Sequence, residues 1–389
     1  MLVSHLSDLH LGYAQFSLEE REEDVYEVFQ EAVDISIAEG VKLVLLAGDI
    51  FHTPRPCGKA IVTLGNALKK LKDKEITAAF ILGEHDISRI RDVPLAYVFS
   101  NLGVAKRLRM DQPLELGDDA VIFGADKERR NSIDQLVERL KGAGKMAKEY
   151  PGRAKKILVL HQGITDINRF AGELNSADLP PEFDYYAMGH YHDHEKRRFD
   201  FLGGPLMYPG SIDLTPSEGI KDIKKGFVIA DLSGEEVSTN FVPLLRRRKQ
   251  FATRISYADI ASEVEDIIRQ SQSLTENGKK PIAKIDIAGS ALDSSVIANN
   301  LRRLNDYCLH YIWRPLEEGG AMPADGLVLD GRPEDIDGEL YRLSREALGS
   351  DELAALAVSE LLPRAAEGDA AESLRIVWDA FQKKRSAPQ

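Results

Sequence analysis

Histidines and carboxylates that could do chemistry stand directly after five apolar runs of the chain. They occur in the segments Asp8-Leu9-His10, Gly48-Asp49-Ile50-Phe51-His52, Gly83-Glu84-His85-Asp86, His161-Gln162-Gly163 and Gly189-His190-Tyr191-His192. Mixed imidazole and carboxylate ligands suit zinc, manganese or iron more than calcium or magnesium. The groups outnumber the needs of one ion, and two ions about 3.5–4 Å apart that share one carboxylate fit phosphate-ester cleavage. The pattern therefore predicts a two-metal site for phosphoester chemistry.

The apolar runs themselves predict the strands that position these groups. We expect strands at 2–7, 41–47, 77–82, 157–160 and 185–188. Helical patterns lie between several of them, at 58–72, from Pro94 to Leu102, and from a capping box of Ser17 and Glu20 to Gly40. An alternation of strand and helix is typical of βαβ units, and ligands of such sheets gather outside the carboxyl ends of the strands. The five segments should therefore converge.

Each segment also has an ordinary interpretation when it is taken alone. A single Asp-x-His after a strand is usually a capped turn or a surface pair, so it is the ordered set that favours Asp8 and His10 as ligands. His52 could merely close the turn at Phe51. His5 lies within a strand, where a hydrogen-bonded core residue is the expectation.

Three basic stretches, at 127–130, 196–198 and 246–249, interrupt an acidic chain. Such runs are usually solvated faces, but their recurrence in a chain of net charge −13 makes a track for DNA phosphates an equal alternative. The negative net charge argues against binding of nucleic acid over the whole surface. Any such contact must come from local basic patches or from a partner.

The length of 389 residues predicts two or three domains. No apolar run approaches the ~20 residues that span a membrane, and the N-terminus has no export signal. Cys57 and Cys308 stand in unrelated contexts, which fits a reducing cytoplasm without disulfides. The run 246–249 marks a domain boundary before a strand-helix-strand-helix-strand series at 251–313. A Gly-rich linker and a helical tail from Pro333 follow.

The ordered motifs resemble those of the calcineurin-like metallophosphoesterases. DLHLG near the start, GDIFH, and YPGS after GHYH are similar to one branch, the nuclease subunit of DNA double-strand-break repair complexes (archaeal meiotic recombination and SbcD-like nucleases). The resemblance implies an α/β fold, a four-layer sandwich of two mixed β-sheets flanked by helices, with a small α/β capping domain and a helical C-terminal tail. It implies a nuclease domain at 1–245, a DNA-capping domain at 246–318, a linker at 319–332, and an ATPase-partner-binding region at 333–389.

The resemblance further implies two manganese ions and their ligands. The implied ligands are Asp8, His10 and His192 for the first ion, Glu84, His161 and His190 for the second, and Asp49 as the bridge between them. A hydroxide activated by both ions would attack phosphorus. His85 would stabilise the phosphate or protonate the leaving oxygen, with Asp86 orienting its imidazole. His52 matches a position linked to exonuclease activity, and Phe170 is a possible match to a second such position.

Glu84 is a departure from the family, which has Asn at this place. With Asp8 and Asp49 it brings three carboxylates to two divalent cations. Extra negative charge should tighten metal binding but weaken the polarisation of the shared water. The sequence alone therefore predicts a metal site that forms but cleaves more slowly than an Asn-bearing relative.

The implied activity is a manganese-dependent DNA nuclease, a 3′-to-5′ exonuclease and single-strand endonuclease that acts on double-stranded ends, hairpins and single strands. The implied partners are a coiled-coil ABC-type repair ATPase and a second copy of the chain, with no membrane and a cytoplasmic, nucleoid-associated location. The homodimer would use the helices around Leu64 and Val98, although their apolar stripe could also be plain core. A small-substrate phosphodiesterase and a DNA-end tethering scaffold, weakened in catalysis by Glu84, are the alternatives.

Overall fold

A computed structural model describes most of the chain. The described residues are 1–88, 93–150, 154–169, 171–290, 292–316, 344–345, 350–361 and 375–378. The chain divides into two compact units, of which one comprises Met1–Asp166 with Glu173–Gly319 and the other Ile167–Gly172 with Gly320–Gln389. The predicted linker, most of the predicted tail and Phe170 lie outside the described residues. None of the helices in the described ranges has the length and apolarity needed to cross a bilayer.

The regular elements of the described residues are numbered here in chain order. The strands are β1 (Leu2–Leu6), β2 (Leu43–Ala47), β3 (Thr77–Ile81), β4 (Lys106–Arg107), β5 (Leu114–Leu116), β6 (Ala120–Ala125), β7 (Lys155–His161), β8 (Tyr185–Gly189), β9 (Glu195–Arg197), β10 (Leu206–Tyr208), β11 (Gly226–Asp231), β12 (Ser238–Pro243), β13 (Gln250–Ser256), β14 (Ile282–Ala288) and β15 (His310–Leu316). The α-helices are α1 (Glu19–Ala38), α2 (Gly58–Asp73), α3 (Tyr97–Asn101), α4 (Ile133–Glu149), α5 (Ile260–Leu274), α6 (Ser294–Leu301) and α7 (Asp351–Leu356). The strands predicted before each motif are confirmed, with ends that differ by no more than two residues.

Two six-stranded sheets form the body of the first unit. Their strand orders are β12-β11-β1-β2-β3-β4 and β5-β6-β7-β8-β10-β9. Both sheets are mixed, because β11 and β12 in the first and β5 and β9 in the second pair antiparallel to their neighbours. The predicted fold class, two mixed sheets with flanking helices, is confirmed.

The inner strands β1, β2 and β3 of the first sheet are buried on both faces, which explains their apolar runs. In β2, Val44 and Leu46 pack into one core with α1 and α2. Leu43 and Leu45 point the other way, into a second core shared with residues of β6, β7 and β8. The second core lies between the two sheets and holds them face to face.

The start of α1 differs from the prediction. The expected capping box of Ser17 and Glu20 does not form, because Ser17 ends a 3-10 turn with φ of 58° and α1 begins only at Glu19. Leu18 precedes the helix and offers no side-chain cap. Glu19, Glu20 and Glu22 instead place negative charge in the first turn, where it interacts favourably with the helix dipole.

A third, parallel sheet of order β13-β14-β15 packs with α5 and α6 around a small core of its own. The basic run 246–249 leads into this sheet. We expect it to be solvated or to contact DNA phosphates, but this is wrong for two of its arginines, which bind carboxylates of the chain. Arg248 Nε donates to Asp24 Oδ2 at 2.6 Å and Arg247 Nε to Asp213 Oδ1 at 3.2 Å. Arg21 is fully buried between the same acids, 2.6 Å from Asp24 and 2.7 Å from Asp213. An ionic network thus joins this sheet to α1.

Candidate metal centre

The loops after the parallel strands converge where the two sheets meet. β1, β2 and β3 run parallel in one sheet, and β7 and β8 run parallel in the other. The loop after β1 is joined to the loop after β2, because the backbone NH of His10 donates to Asp49 O at 3.0 Å. The side chain of Asp8 reaches the second sheet and accepts from the backbone NH of His190 at 3.2 Å. The predicted convergence of the motifs is therefore present.

The backbone of these loops has positive φ values at several residues, a conformation that residues other than glycine rarely adopt. Asp8, His10, Asp49 and His190 have φ values of 52°, 45°, 48° and 103°. Such left-handed residues cost of order 1–3 kcal/mol each and cluster at functional sites, where surrounding structure imposes them. The strain falls on the residues that the motifs singled out.

One cluster of three possible ligands comprises Asp8, His10 and His192. His10 Nε2 and His192 Nε2 are 3.4 Å apart, and His192 Nε2 lies 3.8 Å from Asp8 Oδ1. Thr215 Oγ1 contacts His192 Nδ1 at 2.7 Å and so orients the ring with Nε2 toward the cluster.

A second cluster comprises Glu84, His161 and His190. Glu84 Oε2 lies 2.9 Å from His161 Nε2, and Glu84 Oε1 lies 2.9 Å from His190 Nδ1. His161 Nδ1 is 2.7 Å from Ala47 O, and since a carbonyl only accepts, Nδ1 donates to it and Nε2 points toward Glu84. Glu84 therefore stands between the two imidazoles of its cluster.

Asp49 lies between the two clusters. Its Oδ2 is 3.9 Å from His10 Nε2 and 3.5 Å from His161 Nε2. Its Oδ1 accepts the backbone NH of His85 at 2.8 Å, which leaves Oδ2 facing both groups. The carboxylate is placed as a bridging ligand requires.

The donor set fits two divalent cations. Asp8 Oδ1 is buried and takes part in no directed hydrogen bond, and it lies 3.9 Å from His161 Nε2. Buried polar atoms without partners are costly, and acceptors that face one another need a cation between them. Two clusters of carboxylate and imidazole, linked by the group of Asp8, Asp49 and His161, are what a pair of such ions would satisfy.

The pKa values of the centre reflect burial and crowded carboxylates. Burial lowers the pKa of His10 to about 3, so its ring is neutral at neutral pH, as a metal ligand must be. Burial also raises the pKa of Asp8. At His161 burial acts to lower the pKa, but Asp49 and Glu84 outweigh it and hold the pKa well above its ordinary value. This part of the centre attracts positive charge.

His85 and His52 lie beside the first cluster. The ring centroid of His85 is 4.8 Å from that of His10 and 5.5 Å from that of His52. Asp86 does not orient the His85 imidazole as predicted. Its carboxylate accepts from the backbone NH groups of Ile50, Phe51 and Gly83 at 3.1, 2.8 and 3.0 Å, so its oxygens are occupied by backbone.

Sequence reasoning missed two charged residues at the centre, Lys127 and Glu173. Lys127 Nζ lies 2.7 Å from Glu173 Oε2 and 3.9 Å from Glu84 Oε2. The sequence did contain a signal for Lys127. It follows β6 after one intervening residue, and so lies at the same edge of the sheets as the motifs. The solvated face expected for it is wrong, since its side chain is only 7% exposed.

Two glycines allow the loops to approach this closely. A Cβ at Gly83 would lie 2.1 Å from Asp49 Oδ1, and one at Gly189 would lie 2.0 Å from Ala47 O. Both distances are far below contact, so any larger residue would displace a proposed ligand or its strand.

Comparison with known proteins places the chain among relatives of one kind. Residues 1–194 match the family model described as calcineurin-like phosphoesterase. The chain is 34% identical over 321 residues to the "DNA double-strand break repair protein Mre11" of Sulfolobus acidocaldarius, covering 80% of this chain and 81% of that protein. It is 28% identical over 382 residues to the protein of the same name from Sulfurisphaera tokodaii, covering 94% and 93%. The relative from Saccharolobus solfataricus is 30% identical over 319 residues, with 79% and 81% covered.

Proposed function

The chain belongs to the archaeal family of the DNA double-strand break repair protein Mre11, and we propose that it is a manganese-dependent nuclease that processes the ends of broken DNA. It is a metal-dependent phosphodiesterase by its family and fold. The proposal adds manganese, 3′-to-5′ exonuclease activity and single-strand endonuclease activity. The observation that carries it is the convergence of imidazoles and carboxylates from both sheets on two clusters that Asp8, Asp49 and His161 link.

The ligand assignment follows the two clusters. One ion would be held by Asp8, His10 and His192, the other by Glu84, His161 and His190, and Asp49 would serve both. Imidazole with carboxylate suits manganese, and Thr215 on His192 and Ala47 O on His161 fix the ring orientations. When bound, two such ions neutralise phosphate charge and activate a water for attack on phosphorus.

The residues around the ligands serve the substrate. His85 donates from Nδ1 to His52 O, so Nε2 is free to hold a proton for the leaving oxygen or to contact the phosphate. His52 stacks against His85 with 20° between the ring planes, and we propose that it contacts the end of a DNA strand. Asp86 positions the loops of both residues through backbone NH groups and is not itself a catalytic group.

The proposed partners are DNA, a second copy of the chain and a coiled-coil ABC-type repair ATPase. Leu64, which was expected on the dimer surface, is buried in the core instead. We propose a dimer through the exposed apolar side chains that remain on α2 and at α3, since Val62 is 60%, Val98 43% and Leu102 68% exposed. We propose residues 1–245 as the nuclease domain, 246–318 as the DNA-capping domain and 333–389 as the ATPase-binding region after a linker at 319–332. The activity would take place in the cytoplasm, at the nucleoid.

The test uses the purified full chain with manganese on DNA labelled at the 3′ or the 5′ end, on hairpins and on an aryl phosphodiester. The proposal expects nucleotides released from linear DNA and cuts in the hairpin loop, both lost with EDTA and in Asp49→Ala. Hydrolysis of the aryl ester without DNA cleavage would instead identify a small-substrate phosphodiesterase. DNA binding without release would identify an end-tethering scaffold. Either of these outcomes overturns the nuclease proposal.

A further inference from the structure

A buried lysine lies directly beside the second ligand cluster. Lys127 Nζ is 3.9 Å from Glu84 Oε2 and 3.5 Å from His190 Nδ1, two proposed ligands of the same ion. Its side chain is only 7% exposed, which is unusual for lysine. A buried ammonium is costly unless nearby anions require it, so its place next to Glu84 calls for a physical reason.

The position of Lys127 is held from both sheets. Its backbone NH donates to Leu82 O at 2.8 Å, at the end of β3. Its ammonium is bound by Glu173 Oε2 at 2.7 Å, and the same oxygen accepts from Gln162 Nε2 at 3.1 Å and from Gly163 N at 3.2 Å. Lys127 is therefore anchored by the loop that follows His161, and it cannot move far from the cluster without breaking this network.

The charge of the centre gives the reason for its presence. Asp8, Asp49 and Glu84 bring three carboxylates, one more than a centre with a neutral amide in place of Glu84. Glu173 is a further carboxylate near the centre. Its negative charge is shared among Lys127, the Gln162 amide and the backbone NH of Gly163, which all bind the same oxygen. Lys127 returns one positive charge within 4 Å of the additional carboxylate.

We propose that Lys127 is a built-in countercharge for Glu84, which sets the affinity of the centre for divalent cations. The inference rests on the proposed metal centre. Lys127 stabilises the metal-free centre by reducing carboxylate repulsion, and it repels a bound cation, so both effects limit how tightly the ion is held. Since Lys127 offsets part of the additional charge, the slowing of cleavage expected from Glu84 alone should be smaller. Lys127 is a positioning and charge-setting residue that does not touch the reacting atoms.

The experiment measures manganese binding to the metal-free full chain by isothermal titration calorimetry, without substrate. At these separations one charge in a partly buried centre changes ion affinity by about tenfold or more. We expect Lys127→Met to tighten binding by at least about tenfold and Glu84→Gln to weaken it by a similar factor. The double variant should return to within about threefold of the unmodified chain, because the charge is restored.

Lys155→Met is the matched control. Lys155 is also a partly buried lysine paired to a carboxylate, with Nζ 3.5 Å from Asp184 Oδ1 and the side chain 17% exposed. It stands at the start of β7, whereas His161 ends that strand, so the two are ~20 Å apart. This variant should leave manganese affinity unchanged, which separates a local charge effect from the general loss of a cation.

Unchanged or weakened binding in Lys127→Met overturns the inference, provided that the unmodified chain binds manganese. Failure of the unmodified chain to bind manganese at all overturns the proposed metal centre instead, so the two failures are distinguishable. Circular dichroism checks that each variant is folded. If Lys127→Met is unfolded, Lys127→Gln keeps an NH donor for Glu173 and is judged by the same criterion.

Discussion

His85 Nδ1 lies 2.9 Å from the backbone carbonyl oxygen of His52. Since the carbonyl can only accept, this contact assigns the ring proton to Nδ1 and leaves Nε2 as the reactive nitrogen. The backbone of one motif loop therefore orients the imidazole of the next, a task that the sequence had suggested for Asp86. An imidazole held by a main-chain atom keeps its orientation whatever the protonation state of the neighbouring carboxylates.

Replacing His85 should separate chemistry from metal binding. We expect His85→Gln to lower DNA hydrolysis by about 10²–10⁴-fold, the usual range for a positioned acid–base group. Manganese affinity should stay within about twofold, because His85 lies outside both proposed ligand clusters. Single-turnover cleavage and calorimetry measure the two effects. A large loss of manganese affinity would show instead that His85 is a ligand.

Adding a methyl group at Gly83 should displace Asp49. The Cβ would lie 2.1 Å from Asp49 Oδ1, so the carboxylate must move. We expect Gly83→Ala to weaken manganese binding by about 10–100-fold, as loss of ligand orientation does elsewhere. Gly142→Ala on α4 is the control, since no atom lies within 4 Å of its Cβ, and it should stabilise the helix by about 0.5–1 kcal/mol. Equal manganese affinity in Gly83→Ala and the unmodified chain would refute the steric argument.

The ionic network around Arg21 should contribute strongly to stability. Arg21 is fully buried, and its loss leaves Asp24 and Asp213 short of a partner. We expect Arg21→Met to lower the free energy of unfolding by about 3–5 kcal/mol in urea. Arg139→Met removes an exposed pair with Glu128 and should cost no more than about 1 kcal/mol. Similar costs for the two variants would contradict the importance assigned to burial.

Buried His5 should make the fold sensitive to acid. Burial lowers its pKa to about 3, whereas the unfolded chain keeps the ordinary value of 6.5. The unfolded state therefore binds the proton first as pH falls below 6.5, and stability is lost progressively down to the folded pKa. Between pH 7 and pH 5 this group alone should cost about 2 kcal/mol.

His5→Gln isolates that contribution. The amide can still pair with Tyr185 OH, which His5 Nδ1 meets at 2.9 Å, but it does not titrate. Urea unfolding with EDTA at both pH values should show a loss of stability smaller by about 2 kcal/mol in the variant, because all other groups are shared. The same pH dependence in both proteins would mean that His5 does not titrate as argued.

The strand ends and the residues that follow them could be predicted because each step is local or general. Apolar runs such as 43–47 indicate buried parallel strands, and the carboxyl ends of such strands collect ligands. Asp49 and His161 are 112 positions apart in the chain, yet both could be placed at one centre by this rule.

What could not be predicted depends on how distant surfaces pack. From sequence alone, a basic run is expected to face solvent unless its acidic partners are known. The partners are distant in sequence here, because Arg248 pairs with Asp24 and Lys127 pairs with Glu173. The role of Asp86 was missed for the same reason, since its oxygens meet the backbone of another loop. Ser17 and Glu20 have the spacing of a capping box, but Ser17 is the last residue of the 3-10 turn before α1 and therefore does not act as a cap.

The division of the ligands between the two sheets has a consequence during synthesis. Asp8, Asp49 and Glu84 come from one half of the sandwich, and His161 and His190 come from the other. A nascent or partly denatured molecule in which only one of the two sheets has formed would lack some of the proposed metal ligands. Such a molecule should not hydrolyse phosphoesters. The proposed hydrolysis therefore requires both sheets to be folded.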